Sequence, residues 1–420
     1  MYRCEDSERL SAWKRLEEKV GKEITDAIKE LYDVYDVKMI DWVASLYDPE
    51  VGGWYASVSG RDNDGYLPDI ISSLDAMSYP TSYMILDKPY EELMPDWIKK
   101  RVGDVVLRLQ DENGYFYHPQ YPKEVVHPTR EAIDLDVAKR ILRRFGLSPK
   151  YPFPCTDSDG DKREEEYVPE RYKSEENFKA FLAEQDIENR SYHVASSLLA
   201  YWGQMEGYGK KIGVNFVKMT NDFLLAHLKE NGTFQDEVND YAINGMYKAY
   251  RLIGGEGIAF PYPEAAIESA FKVIMDKTVP DGVTSVYNPW HAVALVLENA
   301  RSYFDKERAD QILKYTYSLA ADGIRCTAEK LSVFRKPDGG LSYCPNKCVP
   351  VNRMLPTSVP ETYESDMNGT SCGCIAVLES VFRALDVESY RIPLFPRSEY
   401  DRYISLLEER ENNWIKYKKK

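Results

Sequence analysis

The sequence is poor in several features that would each point to a function. Histidine occurs 5 times in 420 residues, which leaves little for a histidine-built metal centre. No run reaches the ~20 apolar residues of a membrane span, so no membrane partner is expected. The opening MYRCEDSERLSAWKR lacks the apolar centre of a secretory leader, and a cytoplasmic location is expected. The 7 cysteines are odd in number, which suits reduced thiols better than a disulfide framework. Lysine and arginine number 54 against 69 acids, for a net charge of -15, and they are scattered along the chain. Nucleic acid, which needs a concentrated basic surface, is therefore not an expected partner. Phosphate loop, dinucleotide glycine pattern and nucleophile elbow are all missing, and no cofactor is implied.

What is present is an ordinary globular composition, 43% hydrophobic and 29% charged, with 32 tyrosines. A tyrosine offers a flat apolar ring and a hydroxyl, which suits both cores and sugar-binding clefts. The chain is organised around residues 228–250, LKENGTFQDEVNDYAINGMYKAY. Asn231-Gly232 closes an amphipathic helix, because glycine accepts the positive φ of a helix end. Thr233-Phe234 sets an aromatic behind the turn, and a second helix follows with apolar residues on more than one face, as in an enclosed helix. In the preceding helix, Val214–Lys229, the apolar stripe leaves Lys218, Asn221 and Asp222 outside it.

The pattern of outer helix, glycine turn and inner helix recurs. A segment around Glu23–Leu46 leads to Val51-Gly52-Gly53-Trp54, with an inner segment from Asp69. Asp96–Gln110 leads to Glu112-Asn113-Gly114-Tyr115-Phe116 and a helix over Thr129–Phe145. The later pairs are Glu175–Glu184 with Asn189–Gln204, Pro263–Lys277 with Asn288–Ala300, and a helix ending near Phe334 with Asp366–Leu385. Inner helices thus begin near residues 69, 130, 190, 239, 288 and 367, at repeat-like intervals. The fold expected is all-α, an α/α toroid of about six helical hairpins, forming one domain over residues 1–420. Loop insertions fall at about 146–174 and 336–364. A final helix, Glu399–Tyr417, closes the chain.

The phrases LRLQDENGYF, LKENGTF and KPDGGL resemble the turn motif of the terpenoid cyclase and protein prenyltransferase superfamily. That resemblance implies the toroid and, as one function, an enzyme handling an isoprenoid. The cyclase acid motif would need a fourth acid where Asp134-Leu135-Asp136-Val137 has valine. The prenyltransferase zinc set would need a histidine after Asp366 and Cys372, and none follows His291. A second resemblance, to toroid polysaccharide lyases and glycoside hydrolases, rests on Asn189-Arg190-Ser191-Tyr192-His193 with Tyr201-Trp202. It implies a carbohydrate-active enzyme, a hydrolase or a uronate lyase, acting on a small-molecule or oligosaccharide substrate.

In a ring, the inner-helix N-termini meet at one rim, where free N–H groups favour anions. A hydrolase needs two carboxylates across the sugar, for which Asp69, Asp240 and Asp366 are the candidates, although each also suits a helix cap. A lyase needs the uronate neutralised and a proton moved. His193 or Tyr241 could move it, with Arg190 and Asn239 binding the substrate. Trp54, Arg61, Tyr192, Asn288, Trp290 and His291 are further candidate binding residues around the same rim. Cys344, Cys348, Cys372 and Cys374 make up the thiol number of a tetrahedral zinc site, but without the usual two-residue gaps. Asp157-Ser158-Asp159-Gly160-Asp161 resembles part of a calcium loop in an acidic stretch with no flanking helices. A non-catalytic binding ring is the third reading, with every rim acid satisfied as a cap.

Overall fold

Six helices position the site. They are α1 (Ile70–Tyr83), α2 (Pro128–Arg144), α3 (Ile187–Ala200), α4 (Asp240–Gly255), α5 (Thr284–Tyr303) and α6. The last is composite: Met367–Ser371, a π-helical turn Cys372–Ala376, then Val377–Ala384. The computed structural model describes residues 7–126, 128–153, 168–349 and 362–418. These are mostly helical, with one short antiparallel strand pair, Tyr47–Asp48 with Gly53–Trp54. No described helix is long and apolar enough to cross a membrane.

The six helices pack in a chain of neighbours, α3 on α4, α4 on α5, α5 on α6, α6 on α1 and α1 on α2. Their directions follow from paired side chains. Asn288 contacts Asn244 and His291 contacts Tyr247, each pair 44 residues apart, so α4 and α5 run parallel. Arg383 bonds Glu298 and Cys372 meets Tyr287 at a common separation of 85 residues, so α5 and α6 are parallel too. Ser191 Oγ donates to the Tyr241 carbonyl, and Arg130 lies 3.9 Å from Asp69. Close approach has a sequence cause at Gly245, where a Cβ would stand 2.6 Å from Ser191 Cβ.

Amphipathic helices cover the outside of this set. Phe216–His227 packs on α4, Pro263–Met275 on α5, and Asp96–Leu109 on α2. Lys306–Ser332 bridges Pro263–Met275 to Lys22–Tyr32 near the start of the chain. The C-terminal helix Arg397–Lys418 lies on Lys38–Ser45. Contacts across most of the sequence tie the two ends: Tyr32 Oη donates to the Ile392 carbonyl, Tyr403 Oη to that of Ala76, and Arg101 pairs with Glu411.

Three of the glycine turns share one hydrogen-bond pattern. The Gly114, Gly232 and Gly339 amides donate to the carbonyls of Asp111, Lys229 and Lys336, at 2.9, 2.9 and 3.1 Å. The amides of those same three residues donate in turn to Tyr115, Thr233 and Gly340. All three glycines have positive φ, at 85°, 77° and 98°, and behind them Phe116, Phe234 and Leu341 are buried.

Several boundaries differ from the sequence reading. Glu23–Leu46 is two helices, broken at residues 33–37. Asn189–Gln204 is α3 followed by a separate helix, Trp202–Ile212, and Asp186 rather than Asn189 is the N-cap. α5 begins at Thr284, so Pro289 lies inside the helix and Asn288 is one turn in. Asn221, read as outside the apolar stripe, is fully buried. The acidic run Asp157–Asp161 lies outside the described residues, as do residues 154–167 of the first insertion and 350–361 of the second.

Gly232 and Gly21 separate the two costs of a side chain at a turn. Both have positive φ, which costs an L-residue about 1–2 kcal/mol. Only at Gly232 would a Cβ also meet neighbours, Ala266 Cα and Cβ at 2.6 Å, whereas Gly21 has nothing within 4 Å. Urea unfolding should show Gly232→Ala losing about 1–3 kcal/mol more than Gly21→Ala.

Candidate functional site

The helix starts were expected to carry catalytic acids, and the structure uses most of those residues as caps. Asp69 accepts from the Ile71 and Ser72 amides at 3.0 and 2.9 Å and from Ser72 Oγ at 2.7 Å. Asp366 is buried and accepts from the Tyr343, Val349 and Gly369 amides at 2.8, 3.0 and 2.6 Å. Asn239 is an exposed cap, accepting from the Ala242 amide at 3.0 Å. Asp240 is half-buried, and burial raises its carboxyl, opposed by Lys330 and Ser285. Each of the three acids thus has its own set of bonding partners or charges. Burial also lifts Asp366 to about 6 against those amide bonds.

Four other candidates have surroundings of their own. Trp54 and Trp290 have no exposed surface. Trp54 packs on Tyr47 at 4.9 Å, and Trp290 donates from Nε1 to Thr327 Oγ1 at 2.8 Å. Indoles so enclosed are core, not ligand platforms. Arg61 bonds Asp62 and the Ser45 carbonyl. Arg190 is exposed at a kink in the first turn of α3. The four cysteines do not gather either: Cys374 is buried with its Sγ 3.5 Å from Met39 Sδ, while Cys372 faces Tyr287. Among the described residues no group of three or more His, Cys, Asp or Glu side chains is set for a metal.

What the parallel helices do bring together is a polar and aromatic wall across α3, α4, α5 and α6. At its N-terminal end Tyr192, His193 and Tyr241 cluster, with Tyr241 5.8 Å from Tyr192 and 5.5 Å from His193 between ring centres. His193 is exposed and the two tyrosines are half-buried. Tyr343, delivered by the segment after the Gly339 turn, joins them, its hydroxyl 3.2 Å from Thr284 Oγ1 and its phenol pushed up to about 12 by burial. One turn further along are Asn244 and Asn288, joined by a 2.8 Å bond from Asn288 Nδ2 to Asn244 Oδ1. Asn288 is 1% exposed, and its Oδ1 has no partner. Rotating both amides by half a turn keeps the bond and presents an N–H instead.

Below the asparagines His291 stacks on Tyr247 at 5.2 Å and 13°, with Tyr287 edge-on at 5.6 Å. Burial, then the charges of Arg383, Lys248 and Arg251, depress His291 to about 3, so its imidazole is neutral. Burial raises the Tyr192, Tyr247 and Tyr287 phenols, which stay protonated as hydrogen-bond donors. Lys248 lies 4.7 Å over the Tyr247 ring and is lowered to about 8, first by burial and then by Arg251. Tyr192, Tyr247, Lys248, Tyr287 and Cys372 all keep partial exposure. Tyr192, Tyr247, Lys248 and Tyr287 thus combine solvent contact with desolvation.

The π-turn sets Cys372 into this wall. A π-turn interrupts the helical ladder, and such turns occur often at functional sites. Here it directs Cys372 toward Tyr287, Tyr192 and Tyr343. The Gly373 carbonyl is bonded by Tyr35 Oη at 2.9 Å, and Leu341 stands 3.1 Å from where a Gly373 side chain would begin.

Lys248 and Asn244 escaped the sequence reading, because a turn or two past a helix start looks like ordinary core pattern, and Tyr343 escaped it because it lies between helices. A separate buried cluster ties α1 to α2. Arg130 Nε donates to Asp134 Oδ2 at 2.8 Å, and burial raises Asp134 to about 6 against that charge. The groove along Lys306, Asp310, Gln311, Lys314 and Tyr317 lies on one helix and is a charged surface face. No known protein family, curated protein or solved structure matches this chain.

The His291 depression has a defined sign. Its folded value lies below the unfolded ~6.5, so the unfolded state binds the proton first, and stability is lost as pH falls below that value. His291→Phe should remove up to about 1.4 kcal/mol of that loss per pH unit, read as a smaller drop in the urea midpoint between pH 6.5 and 5. For Asp366, Asp366→Ala should cost about 2–3 kcal/mol, since three amides lose their acceptor.

Proposed function

We propose that the chain is a carbohydrate-active enzyme that cleaves a uronate-containing oligosaccharide by β-elimination at the wall of α3–α6. We further propose that the six parallel helices and their outer partners form a single α/α toroid, with this wall facing its centre. The packing of α6 on α1, first helix against last, supports that reading.

The observation that carries the function is the grouping of His193, Tyr192 and Tyr241 above the Asn244–Asn288 pair. Paired carboxylates are not part of this group. In the proposed reaction the sugar carboxylate is held by amide N–H groups of the asparagine pair, which lowers the cost of charge growing at the adjacent carbon. The imidazole of His193 takes the C5 proton. The C5–H electron pair forms the C4–C5 double bond as the C4–O bond breaks, and the Tyr241 hydroxyl gives its proton to the departing oxygen. Protons and electrons balance with no outside reductant or oxidant.

A second reading, an isoprenoid-handling enzyme, draws on the tyrosines of the same wall, Tyr192, Tyr247, Tyr287 and Tyr343, which offer apolar ring faces. Incubation with polyuronates on one side and prenyl diphosphates on the other separates the two. Elimination yields an unsaturated, ultraviolet-absorbing sugar, and Tyr241→Phe and His193→Ala should each lower its rate by about 10²–10⁴-fold. Absence of unsaturated product across a panel of uronates, or unchanged rates in both variants, would overturn the assignment.

A further inference from the structure

We infer that Lys248 and Arg251, on the wall of α4 beyond the Tyr247–His291 stack, form a binding subsite for an anionic oxygen group, a carboxylate or a phosphate, of a ligand lying along that helix. The inference rests on reading this wall as the ligand site, but not on the elimination step.

The first support is an imbalance of charge. Among the described residues Lys248 makes no ion pair or hydrogen bond, only the contact of its ammonium with the Tyr247 ring at 4.7 Å. Arg251 has no carboxylate partner there either; it reaches the Tyr247 ring and hydroxyl. Four other enclosed cations are answered. Arg130 has Asp134, Arg101 has Glu411, Lys330 donates to the Val273 carbonyl, and Lys336 donates to three carbonyls. In a chain of net charge -15, two adjacent cations that no described acid answers mark a place for a charge from outside.

The second support is the surroundings. From its own helix Lys248 faces Tyr247 and Arg251, from α5 it faces His291, and from α6 Cys372. Arg383 adds a further positive charge at His291. The nearby acid, Glu379, faces Tyr247 and Arg383. A half-buried ammonium among like charges is held at about 8, well below the ordinary ~10.4 of lysine. An anion docked between Lys248 and Arg251 would restore the charged form. Lys248 follows Tyr241 by seven positions, so the subsite lies roughly 10 Å along the helix from the proposed proton-moving pair. That spacing suits a charged group on a neighbouring unit of an extended ligand.

The test is calorimetric titration of the full chain with glucuronate, inorganic phosphate and neutral glucose, at pH 7 and pH 9, in two buffers of different ionisation enthalpy. An anion should bind and glucose should not. At pH 9 binding should take up a proton, because Lys248, mostly neutral there, is recharged. Lys248→Met and Arg251→Gln should each weaken binding by about tenfold or more, and Lys248→Met should abolish the proton uptake. Tighter glucuronate binding identifies a sugar acid as the source of the anion, and tighter phosphate binding a phosphorylated ligand. No binding of either anion, binding undiminished in both variants, or binding without proton uptake overturns the subsite. Anion binding with no unsaturated product would keep the subsite and overturn the elimination reading. Elimination with anion binding untouched by either variant would do the reverse.

Discussion

Parallel helices set side by side bring like ends together, and the rest of the structure answers that constraint. Each helix start carries a partial positive charge and unsatisfied amide donors. Where α1, α3, α4 and α6 begin, the chain supplies Asp69, Asp186, Asn239 and Asp366 as acceptors. Three of those four are acids, whose charge also offsets the aligned dipoles. A row of acids at one end of a helical assembly therefore has a structural cause before it has a catalytic one. What is left for a ligand is the next turn down, where backbone amides are already bonded within the helix and side chains alone decide the chemistry.

That turn is where the wall acquires its character. The phenols of Tyr192, Tyr247 and Tyr287 are protonated, the imidazole of His291 is neutral, and positive charge stands at Lys248 and Arg251. Desolvation is the common origin of these states, acting on acids and bases in opposite directions but always toward the neutral form. Gly245 and Ser191 allow α3 and α4 to approach closely, and the π-turn of α6 admits a thiol from the remaining side. The wall is thus a product of backbone spacing as much as of side-chain choice.

The helical hairpins were legible because their turns are chemical. Glycine at positive φ followed by a buried apolar residue is a local signal, and it held at Gly114, Gly232 and Gly339. Helix starts were legible where a capping side chain stands in front, as at Asp69, Asn239 and Asp366. The start of α5 was not, since Val283 offers no side-chain cap and Pro289 draws the eye to the wrong turn. Site residues fared less well. Trp290 lies just past a polar helix start and reads as lining, yet an enclosed helix buries all its faces and gives no periodicity to tell wall from core, and Trp54, in the short strand pair, is buried as well. Tyr192, His193 and Tyr241 did come together, because parallel neighbours in register carry one start beside the next. Lys248 was invisible: nothing in a sequence shows whether a lysine meets a counter-charge.

The ties between the two ends of the chain have a temporal meaning. Tyr32 waits for a carbonyl 360 residues further on, and Tyr403 returns to Ala76 across 327. Such separations carry a large loop-closure entropy, and local contacts form first. The glycine-linked hairpins can therefore assemble as they leave the ribosome. The segment Lys38–Ser45, whose partner is Arg397–Lys418, has its apolar residues uncovered until that helix has been made.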